Sequence, residues 1–158
     1  MALQTGHPAP DFALYSDEKH LTRLSDFRGR PVVLLFFPLA FTGTCTRELC
    51  QTRDDIGRYE DLNAVVLAIS TDSPQTLARY KQDHGFNFTL LSDYNKEVIN
   101  TYDVIYPEFS LGMRGVAKRA VFVIDAEGIL RHSEVLENAG ELPDLAAAQA
   151  ALRQLATA

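Results

Sequence analysis

The run Val32-Val33-Leu34-Leu35-Phe36-Phe37 constrains this chain more than any other stretch. A strand wet on one face alternates apolar and polar residues. An unbroken apolar run of this length, stopped by Pro38, belongs to a strand buried on both faces, as in a sheet covered by helices above and below. A short polar loop follows, Pro38-Leu39-Ala40-Phe41-Thr42-Gly43-Thr44-Cys45, and then a segment of helical spacing that carries Cys50; these are the only two cysteines of the chain. A thiol where a strand hands over to a helix start meets unpaired backbone N–H groups and the positive end of the helix dipole. Both favour thiolate over thiol. Cys45 is therefore the candidate reactive group.

Composition narrows the chemistry. With 158 residues, 46% apolar and 23% charged, the chain reads as one domain, residues 1–158, able to bury a proper core. No apolar run is long enough to cross a membrane. A net charge of −6 without a basic cluster argues against nucleic acid and anionic membrane surfaces, and leaves small molecules and proteins as partners. Residues 1–7 hold no basic segment followed by an apolar one, so no secretory signal is read and the cytoplasm is the expected compartment. There, two cysteines this close in sequence point to redox chemistry or a metal rather than a structural staple. The Cys-x4-Cys pair lacks two further ligands, and His7, His20, His84 and His132 show no ligand spacing with it or with one another. No metal or other cofactor is expected.

Along the chain, Pro8 and Pro10 enforce an extended start. A short strand is expected over residues 12–15, a turn over 16–19, a second short strand, and one helical turn over 25–29. The core strand 31–37 and the cysteine loop come next. A helix is expected over 44–63, on the spacing of Leu49, Ile56, Tyr59 and Leu62. Residues 64–70 form a second buried strand; Ser73 then caps a helix with Pro74 at its first position and Gly85 behind it. A strand over 88–91 and a short helix over 96–102 lead to an irregular stretch, 103–118, of the length that functional or mobile loops take. A hairpin pairs 120–125 with 129–133, and a last, alanine-rich helix runs over 143–156. No repeat or linker interrupts the chain. This order makes an α/β fold with a central mixed sheet and helices on both faces. It is the layout of the thioredoxin fold with an N-terminal extension and an insertion before the last hairpin. Cys45 then stands at the carboxyl end of the first core strand, where ligands gather in open α/β sheets.

These residues resemble the peroxiredoxins, over nearly the whole chain. The motif that carries the resemblance is Pro38-x-x-x-Thr42-x-x-Cys45. Support comes from Pro8-Ala9-Pro10-Asp11-Phe12, from Glu48 three residues past the cysteine, and from Arg119 directly before the strand Ala-Val-Phe-Val-Ile-Asp. Residues 37–43 look like the alkyl hydroperoxide reductase E type, whereas the Cys45–Cys50 spacing looks like the bacterioferritin comigratory type, so the chain mixes features of the two.

The resemblance implies a thiol-dependent peroxidase for hydrogen peroxide or alkyl hydroperoxides, recycled by thioredoxin or a similar small dithiol protein. It makes Cys45 the peroxidatic nucleophile. Lowering a thiol's pKa from about 8.5 to about 6 raises the thiolate fraction near neutrality only about tenfold. Fixed donors aimed at the departing oxygen must supply more. The resemblance assigns these to the hydroxyl of Thr42, the N–H groups of Thr44 and Cys45, and the guanidinium of Arg119. Pro38 would shape and shield the loop, and Glu48 would hold the arginines. The plain alternatives are a Thr42 that caps the helix and an Arg119 that is a solvated strand-end charge.

The resemblance makes Cys50 the resolving thiol; the alternative is an ordinary buried cysteine in a one-cysteine enzyme. Residues five apart on an intact helix have alpha carbons about 8.6 Å apart, beyond the about 7 Å a disulfide spans, so a Cys45–Cys50 bond requires the helix start to unwind. A thiol–disulfide oxidoreductase on the same fold is disfavoured by the spacing, and a redox-sensing module without turnover is a further rival. Tyr102, Tyr106, Phe109 and Met113 are candidates either for the substrate mouth or for plain packing. No cysteine follows Cys50 in this sequence, so no intersubunit disulfide through a C-terminal tail is expected, and the chain is read as a monomer or a homodimer.

Overall fold

A computed structural model describes residues 3–157; the expected domain limits, and the first two residues of the stretch read for a secretory signal, lie outside them. Strands β1 (Ala13–Ser16) and β2 (Leu21–Arg23) form an N-terminal hairpin. The apolar run becomes β3 (Val32–Phe36), with every residue buried. Helices α1 (Gly43–Asp54) and α2 (Ile56–Glu60) follow, then β4 (Val65–Ser70), α3 (Pro74–His84), β5 (Thr89–Ser92) and α4 (Glu97–Thr101). The short strands β6 (Ile105–Tyr106) and β7 (Val116–Ala117) precede the hairpin β8 (Ala120–Ile124) and β9 (Leu130–Val135), and α5 (Leu145–Ala156) ends the fold.

Seven strands form one sheet in the order β2-β1-β5-β4-β3-β8-β9. Strands β3, β4 and β5 run parallel, while β8 joins β3, and β1 joins β5, antiparallel. The sheet is mixed and the fold is thioredoxin-like, with helices on both faces. Side chains alternate across the sheet, so β3 feeds two cores. Val33 and Leu35 join Leu49 of α1, Leu77 and Tyr80 of α3, and Ala148 and Leu152 of α5 on one face. Val32, Leu34 and Phe36 join Phe12, Val98, Tyr102 and Phe122 on the other. Burying each such Val, Leu or Phe contributes about 1.5–3 kcal/mol, which fixes the register of the central strand. Helix α3 starts and stops as its sequence requires: Ser73 Oγ accepts from the N–H of Thr76, Pro74 opens the helix, and Gly85 ends it in the left-handed region at φ 63°.

The expected helix over 44–63 is two helices. The chain breaks at Asp55 (φ −98°, ψ 8°). Asp54 and Asp55 place two negative charges at the negative end of the α1 dipole, and Gly57 is a poor helix former, so the backbone turns there. Arg53 fastens this end, its Nη1 donating to the carbonyl of His84 at 2.6 Å. The stretch 103–118 is not wholly irregular either, because β6 and β7 pair antiparallel across it. Two-residue strands are too short to leave a periodic signal. At the C-terminus α5 begins two residues later than expected, since Asp144 is its cap and accepts from the N–H of Ala147 at 3.0 Å.

Candidate active site

The loop after β3 is held before the helix begins. Phe37 donates its N–H to the carbonyl of Ile69, and buried Pro38, with no N–H to give, ends the pairing. Asp72 Oδ2 accepts from the N–H of Ala40 at 2.8 Å and from the Ser70 hydroxyl at 2.7 Å, which clasps the loop to the end of β4. Phe41 then takes a left-handed conformation at φ 66°. Thr42 is the residue at the helix cap position, yet its side chain does not cap: the hydroxyl donates to the carbonyl of Leu39 at 2.8 Å. The proton of that hydroxyl is thus committed to Leu39, and its lone pairs remain as acceptors. Thr46 donates to the carbonyl of Thr42, so the amides ahead of it, including those of Thr44 and Cys45, have no partner of the helical kind. Cys45 lies in this first turn with 1% of its surface exposed.

Arg119 reaches the cysteine from the start of β8 and is itself buried, at 1% exposure. Its Nη2 donates to Cys45 Sγ at 3.2 Å, and its Nη1 donates to Glu48 Oε2 at 2.6 Å. Nη2 and Nε also donate to the carbonyl of Ala139, at 2.9 and 3.2 Å. Arg119 is therefore no solvated strand-end charge. Glu48 is fully buried, and its second carboxyl oxygen, Oε1, has no hydrogen-bond partner. Burial pushes the Glu48 carboxyl up to about 7; Arg119 pulls the other way, and the negative charge of Glu134 adds a smaller upward push. Burial also disfavours the charge on Arg119, but the Cys45 and Glu48 groups outweigh it, and its pKa is raised. One cation thus stands between two groups able to carry negative charge.

These residues open onto a cleft of about 590 Å³. Thr42–Cys45 form one wall, Tyr106 and Phe109 another, and residues 137–140 a third. The rings of Tyr106 and Phe109 stack at 5.7 Å between centroids, and the Tyr106 hydroxyl donates to the carbonyl of Leu136 at 2.8 Å. Tyr102 belongs instead to the core, with its ring 5.4 Å from that of Phe122, and Met113 does not line the cleft. The loop 137–140 had no signal in the sequence: Ala139 acts through its backbone carbonyl, which every residue type has, and only the turn composition of Asn138-Ala139-Gly140 marks the place. Cys50 is partly buried against the same apolar cluster as Cys45, about 1.4 turns further along α1, and both thiols are free. No group of three His, Cys, Asp or Glu side chains able to hold a metal occurs among the described residues.

The same arrangement of chain is found in proteins already characterised. The pattern of the AhpC/TSA family matches residues 5–133. Alkyl hydroperoxide reductase E of Mycobacterium tuberculosis (strain ATCC 25618 / H37Rv) is 39% identical over 145 residues, covering 90% of this chain and 91% of the relative. Peroxiredoxin Bcp of Bacillus subtilis (strain 168) is 34% identical over 132 residues, covering 82% and 83%. The crystal structure of peroxidoxin BcpB from Mycobacterium tuberculosis superposes with a TM-score of 0.86 at 31% identity, over 97% of this chain and 98% of that one. Both types that the sequence resembles are thus among its relatives. The chain belongs to the AhpC/TSA family of peroxiredoxins and is a thiol peroxidase.

Proposed function

We propose that Cys45 is the peroxidatic nucleophile and that Cys50 resolves it. The observation that carries the first assignment is the hydrogen bond from buried Arg119 to Cys45 Sγ, made by the same guanidinium that is fixed by Glu48 and by the carbonyl of Ala139; the role of Cys50 rests on its spacing from Cys45. In the first step the thiolate attacks one oxygen of a hydroperoxide ROOH. The S–O bond forms, the O–O bond breaks, and two electrons pass from sulfur to the departing RO⁻, which leaves as ROH once protonated. Arg119 and the free amides at the helix start face the charge that develops on these oxygens, and because they are already fixed they need not reorganise. Thr42, its proton held by Leu39, offers a lone pair to the hydroperoxide O–H and so orients it. Pro38 closes the floor of the loop against water, and Glu48 keeps the guanidinium plane turned toward sulfur.

The substrate is hydrogen peroxide or an alkyl hydroperoxide; the stacked rings of Tyr106 and Phe109 give an organic R group a wall to lie on. In the second step the Cys50 thiolate attacks the sulfur of the sulfenic acid, a disulfide forms, and hydroxide leaves as water after taking a proton. A thioredoxin-like dithiol protein of the cytoplasm then reduces the disulfide. The enzyme works as a monomer or homodimer, and exposed Phe41 (50%) and Leu111 (96%) beside the cleft favour the homodimer.

Peroxide consumption with dithiothreitol, followed by intact-mass analysis, tests this reading. Cys45→Ser should consume no peroxide. Wild type given one equivalent should lose two hydrogens as the disulfide forms, and Cys50→Ser should gain one oxygen instead. Turnover by Cys45→Ser at the wild-type rate would reject the nucleophile. A stable added oxygen on wild type would make this a one-cysteine peroxidase, with Cys50 a packing residue.

A further inference from the structure

The turn that carries Cys45 is tied to α3 at one point. Thr46 Oγ1 and the Tyr80 hydroxyl lie 2.9 Å apart. Tyr80 is fully buried, and its ring is fixed among the rings of Phe41, Phe86, His84 and Phe37, with centroids 4.9, 5.0, 5.3 and 6.2 Å away. A hydroxyl in such surroundings that loses its partner bears the full cost of desolvation, so the pair resists separation. The flanks of this turn are anchored separately. Asp72 holds the N–H of Ala40 ahead of it, and Arg53 holds the far end of α1 through the His84 carbonyl, with Asn87 donating to the carbonyl of Arg53. Between these anchors, Arg119 bonds Cys45 Sγ and Glu48. Oxidation of sulfur changes the first of those bonds directly. The Thr46–Tyr80 bond includes none of the reacting atoms.

We propose that Tyr80 is a positioning residue that, through Thr46, keeps the Cys45 turn wound after oxidation and so sets how the sulfenic acid divides between disulfide closure and further oxidation. The inference rests on the reading of Cys50 as the resolving thiol. Two fates compete for the sulfenic acid. Attack by the Cys50 thiolate forms the S–S bond and expels hydroxide, which is protonated to water; it needs the turn unwound, because an intact helix holds the two alpha carbons beyond disulfide reach. Attack of the sulfenate sulfur on a second hydroperoxide forms a second S–O bond and breaks O–O, leaving sulfinate and ROH; it needs the wound site with its donors in place. A bond that favours the wound turn slows the first fate and leaves time for the second.

Tyr80→Phe keeps the packed ring and removes the hydroxyl, and Thr46→Val removes the other partner at nearly constant shape. Stopped-flow oxidation, disulfide formation by intact mass, and the hydroperoxide dose that converts half the protein to sulfinate are measured for wild type, both variants and the double variant. Tyr80→Phe and Thr46→Val should each speed disulfide formation about threefold to tenfold, the effect of one hydrogen bond, and raise the sulfinate dose by the same factor. The rate of the first oxidation should stay within about twofold of wild type, and the double variant should match the single ones rather than multiply them. Unchanged disulfide rates and doses in Thr46→Val, or multiplied effects in the double variant, overturn the proposal even if Tyr80→Phe proves unstable. Wild type that forms sulfenate without any disulfide overturns the reading of Cys50 and this inference with it. Wild type that closes normally beside unaltered variants overturns the role of Tyr80 alone.

Discussion

At the scale of single residues, Arg119 is shared. Its cation serves both Cys45 and Glu48, and only one oxygen of the fully buried Glu48 carboxyl is bonded to it. The carboxyl is accordingly raised from an ordinary 4.5 to about 7 by burial. At this group the folded protein then holds more protons than the unfolded chain between those values, so the contribution of Glu48 to stability is fullest below about pH 4.5 and is lost as the pH rises through about 7. A shift of this size corresponds to a loss on the order of 3 kcal/mol. Glu48→Gln keeps an acceptor for Arg119 and removes the titration. Urea midpoints taken across this window should decline in wild type and stay flatter in the variant, whereas parallel profiles would show that Glu48 does not titrate there. Arg119 was legible in the sequence as a partner for Cys45 and Glu48: 74 and 71 positions from them, it donates a hydrogen bond to each. Thr42 was legible as a place, but the direction of its hydroxyl depends on where the Leu39 carbonyl lies.

The informative element is α1. Its buried stripe, Cys45, Glu48, Leu49 and Thr52, has the spacing of a helix face, yet only two of the four are apolar, because Cys45 and Glu48 face Arg119 and the Thr52 hydroxyl donates to the carbonyl of Glu48. Hydrophobic pattern therefore read the helix from Leu49, Ile56, Tyr59 and Leu62, and ran through the break at Asp55 that the pattern cannot see. If Cys50 resolves Cys45 as proposed, that break is where the unwinding should stop. Amide exchange should quicken over residues 44–52 when wild type is oxidised, stay unchanged in Cys50→Ser, and leave α2 as protected as before. Exchange that quickens through α2 as well would mean that the two helices unwind together.

At the scale of the whole molecule, the sheet divides stability from chemistry. Phe122 lies in the core that holds Phe36 and Tyr102, away from the cysteines, whereas Leu49 lies in the core that includes Cys45. Phe122→Ala should cost about 3–5 kcal/mol and leave the rate of Cys45 oxidation near wild type wherever the protein is folded. Leu49→Ala, at about 2–5 kcal/mol, should slow that oxidation too, and equal rates in both variants would refute the division. The succession of strands and helices was legible because each buried strand announces itself locally. The place of residues 137–140 beside residues 42–45 and 119 was not, since it follows from the course of the loop after β9, which no local pattern records. The Ala139 carbonyl makes this concrete. Any amino acid at that position supplies the same oxygen, so the contact with Arg119 does not depend on which side chain stands there. What selection can measure is the number of residues between Leu136 and Asp144, because one more or one fewer slides the oxygen off the guanidinium. At position 139, that contact constrains the length of the loop and not the identity of the residue.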